Sequence, residues 1–194
     1  MFIHSVEGLP ERQLVPEGRW RVEPASSRVG FALHALGGPI RGSFQEFAAE
    51  FEHPRGAGVL ASLCAQTASL STGDRRLDGY LLGSGMLDAE RFPQITFRSR
   101  RIQARDDASF RVPGTLTVRD ISRDVSFHAR IQAGPRQESG FALSVALDAE
   151  LDRRTFGIDL PWRVEMFGVA IPHHVRLWAE LLALPADSTA AIAA

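Results

Sequence analysis

Residues 121–133 read ISRDVSFHARIQA, and residues 141–151 read FALSVALDAEL. In the first stretch Val125, Phe127, Ala129 and Ile131 alternate with Asp124, Ser126, His128, Arg130 and Gln132. In the second, Phe141, Leu143, Val145, Leu147, Ala149 and Leu151 alternate with Ala142, Ser144, Ala146, Asp148 and Glu150. Successive side chains of a strand point to opposite faces, so a period of two marks strands with one dry and one wet face. Gly134-Pro135 through Gly140 supplies turn chemistry between them, which makes the pair an antiparallel hairpin.

The same period extends outward in both directions. Phe110, Val112, Gly114, Leu116 and Val118 form a strand joined to the hairpin by a turn at Arg119-Asp120-Ile121-Ser122. Val175, Leu177, Ala179 and Leu181 form a C-terminal strand. Upstream, Val29, Phe31 and Leu33 give one strand, residues 40–51 and 59–70 two more, and Ile95, Phe97 and Ser99 another. Phe44 and Phe47 are three apart, so both can face inward only across a bulge at Gln45-Glu46. Residues 72–91 break the period and suit one short helix and a loop, while residues 153–168 are irregular. About eight antiparallel strands, each with one apolar face, must cover that face and hide their edges. A closed barrel does both, and at eight strands its interior is filled by side chains or holds one small ligand.

Composition removes several function classes. A chain of 194 residues with 44% apolar and 23% charged side chains suits one folded domain. Residues 1–18 read as an extension, 19–184 as the barrel domain and 185–194 as an Ala-rich tail. The net charge of −1 argues against a nucleic-acid partner. All 22 basic residues are Arg, which excludes a catalytic lysine or a Schiff base. The single cysteine, Cys64, sits in a run that reads as buried strand and permits neither an intramolecular disulfide nor a cysteine-based zinc site. No stretch reaches the ~20 apolar residues of a spanning helix. The first 19 residues carry Glu7, Glu11 and Glu17 and lack a signal-peptide apolar run, which sets the expectation of a cytoplasmic protein.

Chemical motifs are sparse. His173 and His174 are adjacent, and on a strand they face opposite ways, so they form no chelate. His128 falls on a wet face, and neither a GxSxG elbow nor a GxGxxG loop occurs. No metal site and no catalytic residue is expected. Arg98, Arg100, Arg101, Arg105 and Arg111 form a basic stretch that reads either as a solvated face or as transient contact with an anionic membrane surface. Twelve Phe stand against one Tyr, and Phe31, Phe97, Phe110, Phe127 and Phe141 lie on the inferred dry faces. Periodicity leaves two readings open, a packed core and a ligand cavity.

Five segments in order resemble one known family. They are Trp20 to Phe31, His34 to Phe47 with its Gly-x-Phe-x-x-Phe pattern, Leu87 to Ser99, Gly114 to Val118, and Asp152 to Ile158. Together they are similar to the YceI-like family of lipocalin-like barrels, over about residues 19–184. The resemblance implies an all-β, eight-stranded antiparallel barrel with one or two short helices and a long apolar tunnel. It also implies binding of polyprenoid chains, isoprenoid quinones or fatty amides without enzymatic activity. Many members are periplasmic, and a homodimer is compatible with the family. This chain departs from the pattern at Leu77 and Tyr80, where relatives commonly carry Arg and His, and at Met86-Leu87-Asp88, where they show Phe-Phe-Asp. That exchange points to a less charged headgroup, such as a quinone.

The expected function is therefore non-catalytic transport or storage of an apolar isoprenoid lipid, with no cofactor beyond that bound lipid or quinone. Phe31, Leu33, Phe44, Phe47, Phe97, Leu116, Phe127 and Phe141 would line the tunnel. Asp78 and Tyr80 would sit near its mouth, and Leu81 completes the ligand-binding set. Two alternatives are an enzyme using His34, Asp78 and Tyr80 at the mouth, and a filled barrel that serves as a stress or scaffold protein.

Overall fold

The computed structural model describes residues 15–35, 38–105, 108–134, 141–159 and 172–186. Twelve strand segments and one α-helix follow in order: β1 (Gly18–Val22), β2 (Arg28–Ala35), β3 (Gly38–Phe44), β4 (Phe47–His53), β5 (Leu60–Gln66), β6 (Leu70–Ser71), α1 (Arg75–Leu82), β7 (Gln94–Ser99), β8 (Gln103–Ala104), β9 (Ser109–Val118), β10 (Ile121–Ala133), β11 (Leu143–Asp152) and β12 (His174–Pro185). All pairings are antiparallel, and β12 returns to both β1 and β2, which closes the sheet on itself.

The segments reduce to eight strand paths because four long strands are broken, one of them into β7 and β8, which both pair with β9. β1 and β2 are one path interrupted by a 3-10 turn at Pro24–Ser26. They run against β4 and β3, which meet at Gln45-Glu46. β5 and β6 form the next path, against β4 and β3 in turn. The expected bulge lies where Gln45 and Glu46, both exposed, separate Phe44 from Phe47. Backbone bonds from Gln45 N–H to Ser69 and from Gln66 N–H to Glu46 carry the ladder past the break. At the Pro24–Ser26 break, Glu23 N–H donates to Leu182 (2.8 Å). The Ser27 hydroxyl in turn accepts from Leu182 N–H (2.9 Å). No backbone polar group of Leu182 is therefore left unpaired where the barrel closes.

The dry faces meet in one core. Buried members include Val29, Phe97, Val112, Leu116, Ala129, Leu143 and Val145. Each large side chain fully withdrawn from water contributes ~1.5–3 kcal/mol. The alternations read from residues 110–118, 125–131 and 143–151 all point as expected. Two details differ. The β9–β10 turn is only Arg119-Asp120, with Arg119 in the left-handed region at φ 59°, because Ile121 already pairs with Val118. Cys64 is half-buried on the outer face of β5, since Leu63 and Ala65 are the residues of that strand that line the interior.

Candidate functional site: an apolar cavity inside the barrel

The interior is not filled. A cavity of about 250 Å³ lies along the barrel axis, walled by residues of β2, β4, β5, β7, β9, β10, β11 and β12. One end is closed. There β1 starts and β12 ends, and Trp20 stacks on Phe51 with ring centroids 5.6 Å apart. The Trp20 indole N–H donates to Pro16 (3.1 Å), and His53 Nδ1 donates to the Val15 carbonyl (2.7 Å). These bonds fold residues 15–17 across the end, so Val15, which the sequence places in the extension, is buried on the cavity wall. At the other end α1 and the turns after it contribute Leu81, Met86 and Leu87, and the segment after β11 contributes Phe156 and Ile158.

Seven of the eleven expected ligand-binding residues stand on the cavity wall: Phe31, Leu33, Phe44, Leu81, Phe97, Leu116 and Phe127. Phe97 and Phe127 meet edge to face at 4.9 Å, a favoured aromatic geometry. The other four are placed elsewhere. Phe47 packs on the core from the same face of β4 as Ala49 and Phe51 but is absent from the wall. Phe141 is 46% exposed, because β11 begins two residues later at Leu143. Its ring lies edge-on to Trp20 at the barrel end.

Asp78 and Tyr80 belong to α1, as expected, but neither lines the cavity. The Asp78 carboxylate accepts from Thr72 N–H (2.6 Å), the Thr72 hydroxyl (2.6 Å) and the Ser71 hydroxyl (3.3 Å). Donors aimed at the ionised form favour it, so the Asp78 pKa is held below the usual carboxylate value. The Tyr80 side chain is 38% exposed. α1 is itself capped by Asp74, which accepts from Arg76 N–H (2.8 Å), the ordinary role of Asp before a first turn.

The wall also includes Arg153, which the sequence reading did not single out. It opens the 3-10 turn Arg153–Phe156, and its side chain is only 7% exposed. Nε donates to the Pro172 carbonyl (3.3 Å), Nη1 to the Ile158 carbonyl (2.7 Å) and Nη2 to His173 Nδ1 (3.3 Å). Burial pushes its pKa down, and the carboxylates of Asp159 and Asp152 oppose that. His174, next to His173, turns outward and faces Glu150 instead (3.4 Å), which separates the two histidines as expected. Asp152 is held by Arg154, which donates from Nη2 at 2.6 Å and keeps the Asp152 carboxyl far below the usual carboxylate range.

The YceI-like domain family matches residues 20–183. The chain belongs to the YceI-like family. It is similar to a UPF0312 protein of Vibrio cholerae serotype O1, at 26% identity over 141 residues, covering 70% of this chain and 74% of the relative. Among solved structures it is similar to BcnA of Burkholderia cenocepacia, with a TM-score of 0.72 at 22% identity, covering 83% of this chain and 98% of the other. A polyisoprenoid binding domain from Saccharophagus degradans superposes with a TM-score of 0.66 at 11% identity, covering 86% and 98%. The Campylobacter jejuni YceI protein gives 0.63 at 18% identity, covering 74% and 83%. These likenesses establish the eight-stranded YceI-like barrel as the fold.

Proposed function

We propose that this YceI-like barrel binds an apolar isoprenoid lipid, a polyprenoid or an isoprenoid quinone, and carries or stores it without chemical change. The observation that carries the reading is the interior cavity, whose wall among the described residues is almost wholly apolar. Membership in the family and the fold shared with a domain named for polyisoprenoid binding support it. A filled barrel would leave no such space. An engineered cavity of ~150 Å³ stays dry and takes up benzene, so the 250 Å³ here has room, in proportion, for roughly ten carbons. A longer tail extends through the α1 end.

Energetics favour exchange over permanent capture. Each CH₂ withdrawn from water is worth ~0.8 kcal/mol. Summed over about forty carbons, that passes the ~18–21 kcal/mol ceiling of non-covalent affinity. A membrane lipid, however, leaves a bilayer as apolar as the cavity. The net drive is small, and selectivity falls to shape and to the few polar groups on the wall. Native mass spectrometry of the purified protein, followed by organic extraction, tests the reading. A bound isoprenoid at one per chain supports it. A bare protein that takes up nothing from isoprenoid-loaded vesicles overturns it.

A further inference from the structure

The two ends of the barrel are shut by different means. At the β1 end the closing residues are stitched to barrel strands. Trp20 of β1 donates to Pro16 (3.1 Å), His53 of β4 donates to Val15 (2.7 Å), and Arg55 meets Glu17 at 3.4 Å. The α1 end is held differently. Among the described residues, every hydrogen bond of residues 73–91 stays within 71–92, and no ion pair joins them to the barrel. Their polar ties to the rest of the chain are at their own root, where Asp78 accepts from Ser71 and Thr72. Leu81, Met86 and Leu87 nonetheless reach the cavity wall, and Met86 is only 6% exposed.

This segment is built as one piece. The backbone N–H groups of Leu87, Asp88 and Ala89 donate to Leu81, Gly83 and Leu82, each at 3.0 Å, which folds the turns back onto the helix. No residue of α1 is fully buried. At the two ends of the segment Gly73 (φ 84°) and Asp88 (φ 50°) take positive φ, which turns the chain sharply. Gly79 stands mid-helix, although a Cβ built there would meet nothing within 4 Å. Packing does not call for a glycine at that position, and α1 is weaker for having one. We propose that residues 74–89 form a lid that moves as one piece, and that ligand enters and leaves at this end while the β1 end stays shut. The inference rests on the cavity reading above and names the door. Lifting the lid breaks its apolar contacts and the bonds at its root, but no hydrogen bond between barrel strands. Opening the other end breaks the bonds to Val15 and Pro16 and pulls on the start of β1. The segment with fewer ties opens first. A ligand in the cavity gives Leu81, Met86 and Leu87 more to pack against, so it favours the closed lid.

Tyr80 is the single tyrosine of the chain, and it stands on the lid with its side chain 38% exposed. Incorporating 3-fluorotyrosine therefore places one fluorine probe on the lid of the full chain. The ligand used is 2,6-dimethylhepta-1,5-diene, an isoprenoid-like hydrocarbon small enough for the cavity, and calorimetry measures its binding. Fluorine relaxation dispersion is expected to show microsecond-to-millisecond exchange at Tyr80 in the free chain and to lose it when the diene is bound. Flat dispersion in both states, with the diene bound, overturns the lid and leaves the cavity reading standing. A second readout compares the two ends. His53→Ala removes the donor that holds Val15, and it is expected to change the stopped-flow release rate of the diene by less than about twofold. Release accelerated about tenfold or more by that substitution places the door at the β1 end and overturns the proposal. A chain that binds no diene overturns the cavity reading and the lid together.

Discussion

The ring of Phe97 occupies the space that a side chain at Gly114 would need. A Cβ built at Gly114 would lie 2.5 Å from Phe97 Cζ and 2.5 Å from the Arg98 carbonyl oxygen. The same device recurs where the Phe31 ring lies over Gly42. Two glycines on the dry face thus let two aromatic rings lie flat against the wall, which leaves the axis of the barrel empty. Gly114→Ala is therefore expected to destabilise by ~1–3 kcal/mol, because the neighbouring backbone carbonyl cannot rotate away as a side chain could. Urea unfolding measures it; an unchanged midpoint would show that the wall yields at no cost.

The Ser27 hydroxyl stands in for a strand at the barrel's seam. It accepts from Leu182 N–H at 2.9 Å in a buried position where the β1–β2 path is broken. Ser27→Ala leaves that N–H without a partner, and the expected cost is ~1–3 kcal/mol. The amide of Leu182 should also exchange its proton faster than in the parent. Protection at Leu182 equal to the parent would refute the assignment.

Much of this architecture was legible because each strand has two chemically different faces. Residues 125–131 and 143–151 could be oriented from alternation alone. The bulge followed from Gln45 and Glu46, since neither belongs inside. Alternation says nothing of where pairing stops, and Phe141 was misplaced for that reason: it continues the period but precedes the first paired residue, Leu143. The bonds of Asp78 were not legible because its partners, Ser71 and Thr72, precede the helix and carry no motif. Arg153 was missed because Asp152-Arg153-Arg154 resembles a solvated charge run. Only the fold shows that Arg154 and Asp152 pair outside while Arg153 turns inward. The signal available in sequence was the neighbouring Phe156-Gly157, where Gly157 in the left-handed region ends the turn and brings Ile158 back to the core.

Ala129 offers a way to close the cavity without touching its polar end. It is buried on the wall, on the β10 face that also carries Phe127 and Ile131. A phenyl ring at this position occupies space that a ligand would use, and the 250 Å³ available accommodates it without pushing on backbone. Ala129→Phe is expected to keep the β-sheet circular dichroism spectrum and to weaken binding of 2,6-dimethylhepta-1,5-diene at least about tenfold. A folded variant that binds as tightly as the parent would place the ligand elsewhere on the molecule.

Asp78 ties α1 to the end of the barrel, and Leu81 on the same helix lines the cavity. The carboxylate is the acceptor of all three bonds to Ser71 and Thr72, so its ionised form holds the helix down. Its folded pKa lies below the ordinary carboxylate value, because all three bonds favour the charged form. A depressed carboxylate contributes stability that is fully present above the unfolded pKa and is lost as pH falls through the folded one. Asp78→Asn should therefore lower Tm at neutral pH, with the gap to the parent constant down to about pH 5 and closing at more acid pH. If the helix gates the cavity, the same substitution speeds release of the bound diene in stopped-flow dilution while its Kd changes less than the rate. A Tm gap that persists unchanged into strong acid would show that the Asp78 charge is not what holds α1, and an unchanged release rate would show that ligands leave by another route.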